Sequence, residues 1–285
     1  MIASFREILE ERRSHGAAAG AFTCYDATTA IGVVHAAEAR GEPAILLVSE
    51  SSFTGRDGRL LLPALHAVAD AAMVPVCVQL DHVTELELIR AALATGLVGA
   101  VMVDGSRLPL ADNVGFVRAA RKLAEPCGAH VEAELGHIEG GEDVARAAEA
   151  GGLTDPDEAA SLARDAAPGC LAVSIGNVHG TYASEPRLDW ERLERIRAAV
   201  TIPLSLHGAS GLSDPDVERA VASGIAKVNV NTEIRARTFE ELDRRLPELA
   251  PGYRVLELDA AVVEAVAEVV AAKLELLSGR AGGAG

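Results

Sequence analysis

Three histidines are the residues of this 285-residue chain best placed to do chemistry together. His82, His179 and His207 each lie at or just after the end of a short apolar run. If these runs are parallel strands of one barrel, their ends open on the same mouth and the three imidazoles converge there. A single loop histidine more often only makes hydrogen bonds. Three neutral imidazoles with an open fourth position are typical of a catalytic Zn²⁺ site.

Carboxylates occur in one of the same apolar runs and in two further runs. Asp81 directly precedes His82, Asp104 ends another run, and Glu132 and Glu134 are two residues apart and so share one face of a strand. A buried strand that ends on ionisable groups either exposes them to water at a loop or uses them together in a site. The neighbouring histidines favour a site at the barrel mouth.

Two glycine- or asparagine-containing segments are candidates for phosphate binding. The segment HGASG begins at His207, and NVNT ends at Thr232. Small residues leave backbone N–H groups free to approach an anion, and a following helix start adds its dipole. Barrels often hold a phosphate with the loops after strands seven and eight. HGASG alone could be an ordinary turn, but its position beside NVNT and the histidines favours phosphate binding.

These residues are carried by eight apolar runs that alternate with amphipathic stretches, which predicts a parallel sheet. We predict one (β/α)₈ TIM barrel domain over 1–285, with extra helices at 4–13 and about 257–277 and a flexible tail at 278–285. An open doubly wound sheet is the alternative. Polar residues at nearly every strand end favour the barrel. The runs are 19–25, 44–50, 74–81, 99–105, 128–136, 170–177, 202–208 and 225–232.

Charge and composition exclude several classes of partner. The net charge of −16 at pH 7 argues against nucleic acid and against an anionic membrane surface. No run approaches the ~20 apolar residues that span a bilayer, and the charged N-terminus reads as a first helix rather than a signal peptide. The four cysteines form no CxxC pair. They predict reduced thiols in a cytoplasmic protein.

Seven motifs, in order between about residues 74 and 233, resemble those of the zinc-dependent class II ketose-bisphosphate aldolases of the fructose- and tagatose-bisphosphate type. They are LDH, MVDGS, VEAELG, GGED, IGNVHG, LHGASG and KVNVNTE. The resemblance implies one catalytic Zn²⁺ per chain, a phosphorylated sugar as substrate, a role in carbohydrate metabolism such as glycolysis, and a homodimer or homotetramer.

The resemblance also implies a role for individual residues. Asp81 would exchange a proton with the hydroxyl at the cleaved bond, and Glu142, on a long glycine-rich loop, would take a proton from the ketose donor. The metal ligands would be His82, His179 and His207, with Glu134 and Asp104 as alternate or supporting carboxylates. The dihydroxyacetone phosphate group and an accompanying Na⁺ or K⁺ ion would be held by Gly180, Gly208, Ser210, Asn229 and Thr232.

The acceptor half of the site departs from the family's pattern. Where the family usually has "AFN", this chain has Ala-Phe-Thr, ending at Thr23. The turn after the second strand is Ser-Glu-Ser-Ser, beginning at Ser49. Where the family has a "DPR" segment, this chain has Ala-Pro-Gly, ending at Gly252. In the family, the arginine of the "DPR" segment binds the second phosphate of the substrate in a neighbouring subunit. Candidate acceptor-side residues here are Thr23, Ser49, Asn231 and Arg254.

The resemblance makes reversible cleavage of a ketose (bis)phosphate, such as fructose 1,6-bisphosphate, the default function. The alternative within the family joins dihydroxyacetone phosphate to a different, unphosphorylated aldehyde. A metal-free Schiff-base aldolase needs a lysine in the barrel. Lys122 and Lys273 are predicted on outer helices, and Lys227 at the start of the eighth strand, at the wrong end. A non-catalytic barrel would have no use for an acid, a base and metal ligands buried together.

Overall fold

The computed structural model describes residues 1–140, 147–148 and 151–279. Within them eight parallel strands close a barrel in chain order, with the first strand pairing with the last. Each strand corresponds to one of the eight apolar runs, although the strand in the run 74–81 continues two residues beyond it. The predicted TIM barrel is confirmed. The strands are β1 (Ala19–Thr23), β2 (Ala44–Ser49), β3 (Val76–Val83), β4 (Ala100–Val103), β5 (His130–Leu135), β6 (Cys170–Val173), β7 (Leu204–Leu206) and β8 (Ile225–Val230).

Helices follow the strands and surround the barrel. They are α1 (Phe5–Ser14), α2 (Ala27–Arg40), α3 (Glu50–Thr54), α4 (Gly58–Ala71), α5 (Leu86–Ala94), α6 (Leu110–Ala124), α7 (Pro156–Ala166), α8 (Trp190–Ala199), α9 (Asp214–Ala222), α10 (Thr232–Leu249) and α11 (Val255–Leu277). The predicted terminal helices correspond to α1 and α11. Ala147–Ala148 and Thr181–Tyr182 form a separate short parallel pair.

Several loops at the mouth of the barrel end in a side-chain cap for the next helix. Asp26, Asp155, Asp189 and Ser213 each accept a hydrogen bond from a backbone N–H in the first turn of α2, α7, α8 and α9 respectively. Such a cap satisfies a donor that the helix leaves without a partner. The caps therefore fix where each helix begins, and so the length of each loop at the mouth.

The core has two parts, inside and outside the barrel. Outward-facing strand residues such as Leu46, Leu80 and Val173 pack with the helices in one large apolar cluster. Inside the barrel, Phe5 and Leu9 of α1 are fully buried against small and medium side chains of the strands. The helix α1 thus closes the N-terminal end of the barrel.

The C-terminal end of the barrel is polar and carries the candidate site. None of the described helices is both long and apolar enough to cross a bilayer. Of the tail predicted to be flexible, residues 280–285 lie outside the described part of the chain.

Candidate active site

A β-bulge at the end of β3 brings two neighbouring polar side chains to the same mouth. Between Leu80 and Val83 the pairing with β4 shifts, so β3 carries one extra residue there. His82 has a left-handed backbone conformation with a φ of 52°. Neighbours on a regular strand face opposite sides, whereas bulges re-aim side chains next to active sites. The bulge lets Asp81 and His82 both serve one site.

The structure brings the three predicted histidines together. The ring centroid of His82 lies 4.8 Å from that of His179 and 4.9 Å from that of His207, and the last two are 5.8 Å apart. The Nε2 atom of His82 is 3.0 Å from Nδ1 of His207. His179 and His207 are buried. Burial lowers the pKa of His207 to about 3, against the opposing effect of Glu132, so its imidazole is neutral.

Two carboxylates face the other nitrogen of His82. Its Nδ1 atom lies 3.3 Å from Asp104 Oδ2 and 3.6 Å from Glu134 Oε2. Burial opposes ionisation of Asp104, but hydrogen bonds and charge from His82, with Ser106, hold its pKa well below the ordinary value. Burial and the neighbouring Asp104 raise the pKa of Glu134 to about 7. The two acids therefore differ in how readily they carry charge at neutral pH.

A second polar layer lies inside the barrel beneath the histidines. Glu132 Oε1 is 2.9 Å from His207 Nε2, and Glu132 Oε2 is 2.9 Å from Lys227 Nζ and accepts from Gln79 Nε2 at 2.7 Å. Burial would keep Glu132 neutral, but Lys227 and His207 hold its pKa well below the ordinary value. The expectation that Lys227 begins β8 at the wrong end is wrong. It is the third residue of β8 and its ammonium lies in the interior.

Asp81 belongs to the same buried network. Its Oδ2 atom accepts from Asn229 Nδ2 at 3.2 Å, and Asn229 Oδ1 accepts from Lys227 Nζ at 2.5 Å. Asn229 was predicted from the resemblance to contact the substrate phosphate or a monovalent cation. In this structure its amide lies between the buried lysine and the candidate acid.

The other predicted phosphate residues lie at the ends of β6, β7 and β8. Gly180 and Gly208 have φ values of 90° and 62°, and a Cβ at Gly208 would collide with the carbonyl of Val178. That close approach requires glycine. Ser210 is buried in the loop after β7, and Thr232 is the first residue of α10. This places small residues and the start of a long helix on one side of the mouth.

Glu142, predicted as the carbon base, lies outside the described residues. The chain on both sides of it meets the loop that carries His179. The backbone carbonyl of Glu139 accepts from the backbone N–H of His179 at 2.7 Å, and Ala147–Ala148 pairs with Thr181–Tyr182.

The candidate acceptor-side residues lie on four different parts of the fold. Thr23 ends β1 and is buried, and the Ser49 hydroxyl accepts from the backbone N–H of Ser52 at the start of α3. Asn231 accepts from the Tyr25 hydroxyl at 3.2 Å. The guanidinium of Arg254 pairs within its own chain with carboxylates at 3.3 and 3.1 Å, those of Glu248 and Glu257 respectively.

The donor set fits a metal ion. Two triplets have ligand atoms within 4.8 Å of one another: His82, His179 and His207, and His82, Asp104 and Glu134. Among the described residues the buried Oε2 of Glu134 has no hydrogen-bond partner. Imidazole nitrogens and carboxylate oxygens are ordinary Zn²⁺ ligands. His82 belongs to both triplets because its two nitrogens face different partners.

Two residues that contribute to the site, Lys227 and Tyr182, are not predicted from the sequence. The sequence prediction places Lys227 at the start of its strand, although its position in KVNVNTE, two residues before Asn229, puts both side chains on the same face of β8. Tyr182 donates to the carbonyl of Gly208 at 3.0 Å and so ties the loop after β6 to the loop after β7. The only signal for Tyr182 was its position two residues after Gly180.

Comparison with known sequences identifies relatives over most of the chain. The sequence profile of the family described as class-II fructose-bisphosphate aldolase matches residues 3–282. An uncharacterised protein of Escherichia coli K12, YdjI, is 39% identical over 219 residues, which make up 75% of this chain and 76% of YdjI.

Solved structures agree with the sequence relatives. The YdjI aldolase from Escherichia coli K12 superposes with a TM-score of 0.85 and 30% identity over 97% of both chains. A Coccidioides immitis protein provisionally assigned as a fructose-1,6-bisphosphate aldolase gives a TM-score of 0.87 and 28% identity, over 96% of this chain and 95% of its own. The Campylobacter jejuni fructose-bisphosphate aldolase gives 0.83 over 98% and 96%, but at 20% identity it supports the fold alone.

Proposed function

Because this chain belongs to the class II fructose-bisphosphate aldolase family, we propose that it is a zinc-dependent aldolase that reversibly cleaves a ketose phosphate into dihydroxyacetone phosphate and an aldehyde. The observation that carries the proposal is the convergence of three imidazoles on one barrel mouth, with Asp81 directly before the first of them in the chain. A site with both a metal cluster and a separate proton-transfer group is what this carbon–carbon lyase chemistry requires.

His82, His179 and His207 would hold the metal, with Asp104 and Glu134 beside them. When bound, a divalent ion supplies Lewis-acid stabilisation of the negative charge that develops on the donor's oxygens as a proton leaves carbon. The neutral state of His207, which follows from its burial, suits a nitrogen ligand.

Proton transfer would be divided between two carboxylates. Glu142 would remove the proton from the carbon of dihydroxyacetone phosphate. Asp81 would exchange a proton with the hydroxyl at the bond that breaks. Asp81 is buried, and Asn229 donates to one of its oxygens, which leaves its direction well defined. Such groups typically contribute ~10²–10⁴-fold to the rate.

The donor phosphate would lie against the loops after β6, β7 and β8. Gly180, Gly208 and Ser210 offer backbone groups without bulky side chains, and Thr232 begins α10, whose dipole favours an anion. A Na⁺ or K⁺ ion accompanying the phosphate would reduce, at the site, the repulsion between the phosphate and a protein of net charge −16.

The acceptor aldehyde is either phosphorylated or neutral. Fructose 1,6-bisphosphate is the default substrate, and an unphosphorylated aldehyde is the alternative. Two observations favour the alternative. Glu50 places a carboxylate beside the end of β3, where it accepts from the backbone N–H of Thr84 at 2.7 Å. Arg254, the candidate replacement cation, is already paired with two carboxylates of its own chain.

The position of Lys227 changes the reason for setting aside a Schiff-base mechanism. An amine that attacks a carbonyl must be neutral. Burial lowers the pKa of Lys227, but Glu132 and Asp81 outweigh this and raise it above the ordinary value. Treatment with borohydride and substrate should leave the chain unmodified.

The decisive experiment is an aldol assay of the Zn²⁺-loaded protein with dihydroxyacetone phosphate and a panel of phosphorylated and neutral aldehydes. We expect a ketose 1-phosphate product with at least one of them. Asp81→Asn should reduce product formation, whereas Cys127→Ser, which alters an exposed thiol, serves as the matched control. The absence of both product and donor-proton exchange with every aldehyde would exclude the proposed function.

A further inference from the structure

Lys227 is a fully buried cation inside the barrel. Its Nζ atom lies 2.9 Å from Glu132 Oε2 and 2.5 Å from Asn229 Oδ1. Both it and Glu132 have no exposed surface. A buried ammonium is tolerated only when it is paired and hydrogen-bonded, and these two partners meet that requirement.

Stability alone does not account for this ion pair. The barrel also contains a cluster of buried apolar side chains that includes Ala21, Leu47 and Cys77. Replacing a buried ion pair with apolar residues of similar volume is often neutral or stabilising, so a barrel could be filled without these charges. Both charges also lead to the candidate site through further hydrogen bonds, one through each partner of Lys227.

The first connection runs through Glu132 to a metal-binding histidine. A carboxylate can only accept, so His207 must donate from Nε2 to Glu132 Oε1 across 2.9 Å. A neutral imidazole that carries its proton on Nε2 has a free lone pair on Nδ1. That Nδ1 atom is the one that faces His82. Glu132 therefore determines which nitrogen of His207 is available as a ligand.

The second connection runs through Asn229 to the candidate acid. An ammonium can only donate, so Asn229 must turn its carbonyl oxygen toward Lys227. Its NH₂ group is then left to face Asp81, to which it donates at 3.2 Å. Lys227 thus fixes the orientation of an amide whose two ends are chemically opposite.

We propose that the Lys227–Glu132 ion pair positions both halves of the site: Glu132 fixes the ligand nitrogen of His207, and Lys227 directs the amide of Asn229 at Asp81. The link to Asp81 rests on the proposed function, whereas the link to His207 concerns the metal-free chain and can be measured without turnover.

The first test uses the wild-type protein and needs no folded Lys227 variant. The ¹⁵N resonances of labelled histidines in the metal-free protein report which ring nitrogen carries the proton. The His207 signals are assigned by their loss in His207→Gln. We expect His207 to be protonated at Nε2 and bare at Nδ1. Protonation at Nδ1 would overturn the proposal.

The second test removes the ion pair as a unit. In Lys227→Met/Glu132→Leu both charges become apolar groups of similar size, so no single buried charge is left behind. The matched control is Arg12→Met/Glu42→Leu, which removes another buried ion pair, located at the N-terminal side of the barrel. Zn²⁺ affinity is measured by competition with a chromophoric chelator. We expect about 10–100-fold weaker binding in the first variant and unchanged binding in the control.

The same variants separate the two connections. At saturating Zn²⁺ the weaker metal binding by His207 is overcome. The amide of Asn229, however, has lost the contact with Lys227 that orients it. We expect the ratio of carbon–carbon cleavage to donor-proton exchange to fall about tenfold in Lys227→Met/Glu132→Leu, a smaller loss than removal of an acid–base group itself. An unchanged ratio and unchanged Zn²⁺ affinity would refute the role of the ion pair. If the wild type cleaves no ketose phosphate, the proposed function fails, while the protonation of His207 and the Zn²⁺ affinity still test the role of the ion pair.

Discussion

The Nε2 nitrogen of His82 lies 3.0 Å from the Nδ1 nitrogen of His207. Two ring nitrogens at this separation cannot both present lone pairs without repulsion, so a proton or a cation must lie between them. The strands that carry these residues are not neighbours in the barrel. This distance therefore shows that the two sides of the mouth lie close enough for both histidines to bind one ion.

Removing the metal should abolish activity. We expect about one zinc per chain in the purified protein, loss of activity on chelation and recovery on adding Zn²⁺, because the catalytic ligand set leaves an open position for substrate. Elemental analysis and the aldol assay are the measurements. His207→Ala should lose metal and turnover together, and Cys127→Ser should lose neither. Full activity in protein shown to be free of metal would falsify this mechanism.

Asp81 and Glu142 should affect different proton transfers. Glu142→Gln should slow exchange of the donor's carbon-bound proton with solvent, because that carboxylate is proposed to remove it. Asp81→Asn should spare this exchange relative to carbon–carbon cleavage. Losses of ~10²–10⁴-fold are expected for each group in its own step. Solvent-exchange and cleavage rates for both variants are compared, and equal losses of both reactions in both variants would remove the assignment.

Fructose 1,6-bisphosphate should be a poor substrate beside fructose 1-phosphate or a condensation with a neutral aldehyde. A phosphate stripped of water needs charge-assisted donors, and hydrogen bonds to charged groups contribute ~1.5–3 kcal/mol each. Values of kcat/KM are the measurement. A preference for the bisphosphate of a hundredfold or more, about 2.7 kcal/mol, would contradict the idea.

Glu50 and Arg254 provide the matched variants for this comparison. Glu50→Gln keeps an acceptor for the backbone of Thr84 but removes the charge. It should raise kcat/KM for the bisphosphate by about two- to fivefold relative to fructose 1-phosphate, as expected for an exposed charge worth roughly 0.5–1 kcal/mol. Arg254→Gln should change neither. A selective loss of bisphosphate cleavage in Arg254→Gln would identify it as the missing cation.

Phe5 should be a major source of stability although it lies far from the site. Its ring is fully buried at the closed end of the barrel. Phe5→Ala should lower the free energy of unfolding by about 3–5 kcal/mol, from lost burial and the cavity left behind. Phe239, which is 72% exposed, is the matched control, and its replacement by alanine should stay within about 0.5 kcal/mol. Urea denaturation is the measurement; similar values for the two variants would show that α1 does not close the barrel.

Only one thiol per chain should react rapidly in the native protein. Cys24, Cys77 and Cys170 are buried and Cys127 is exposed. Burial raises the pKa of Cys77 to about 12 and raises those of Cys24 and Cys170 as well, so their reactive thiolate forms are scarce. Titration with a thiol reagent at pH 8 should give one fast equivalent, absent in Cys127→Ser, and four in denaturant. More than one fast equivalent would mean that these strands are not packed as described.

The barrel could be predicted from the sequence because fully buried parallel strands are continuously apolar. For example, the strand β6 (Cys170–Val173) lies within a predicted apolar run of eight residues. Strand ends were less well placed, since they depend on pairing with neighbours rather than on side-chain type. The predicted run 202–208 became the three-residue strand Leu204–Leu206.

The convergence of the histidines was also within reach of the sequence, because parallel strand ends share one mouth. The lower layer of the site was not. The role of Lys227 depends on Glu132, which is distant in the chain, and nothing local distinguishes a lysine that pairs inside a barrel from one that faces water. The bulge at His82 could not be predicted either, because it is a shift in strand pairing and no residue type marks it.

The extra residue in β3 also limits how this chain can diverge over evolutionary time. Side chains alternate along a strand, so a one-residue deletion between Val76 and Asp81 would exchange the inward and outward sets of β3. The bulge could absorb such a change only by disappearing, and Asp81 and His82 would then face opposite sides. Substitutions in β3 are tolerated as long as side-chain volume is kept, whereas an insertion or deletion there would separate Asp81 from His82. Length variation among descendants should accumulate in the loops after the strands instead.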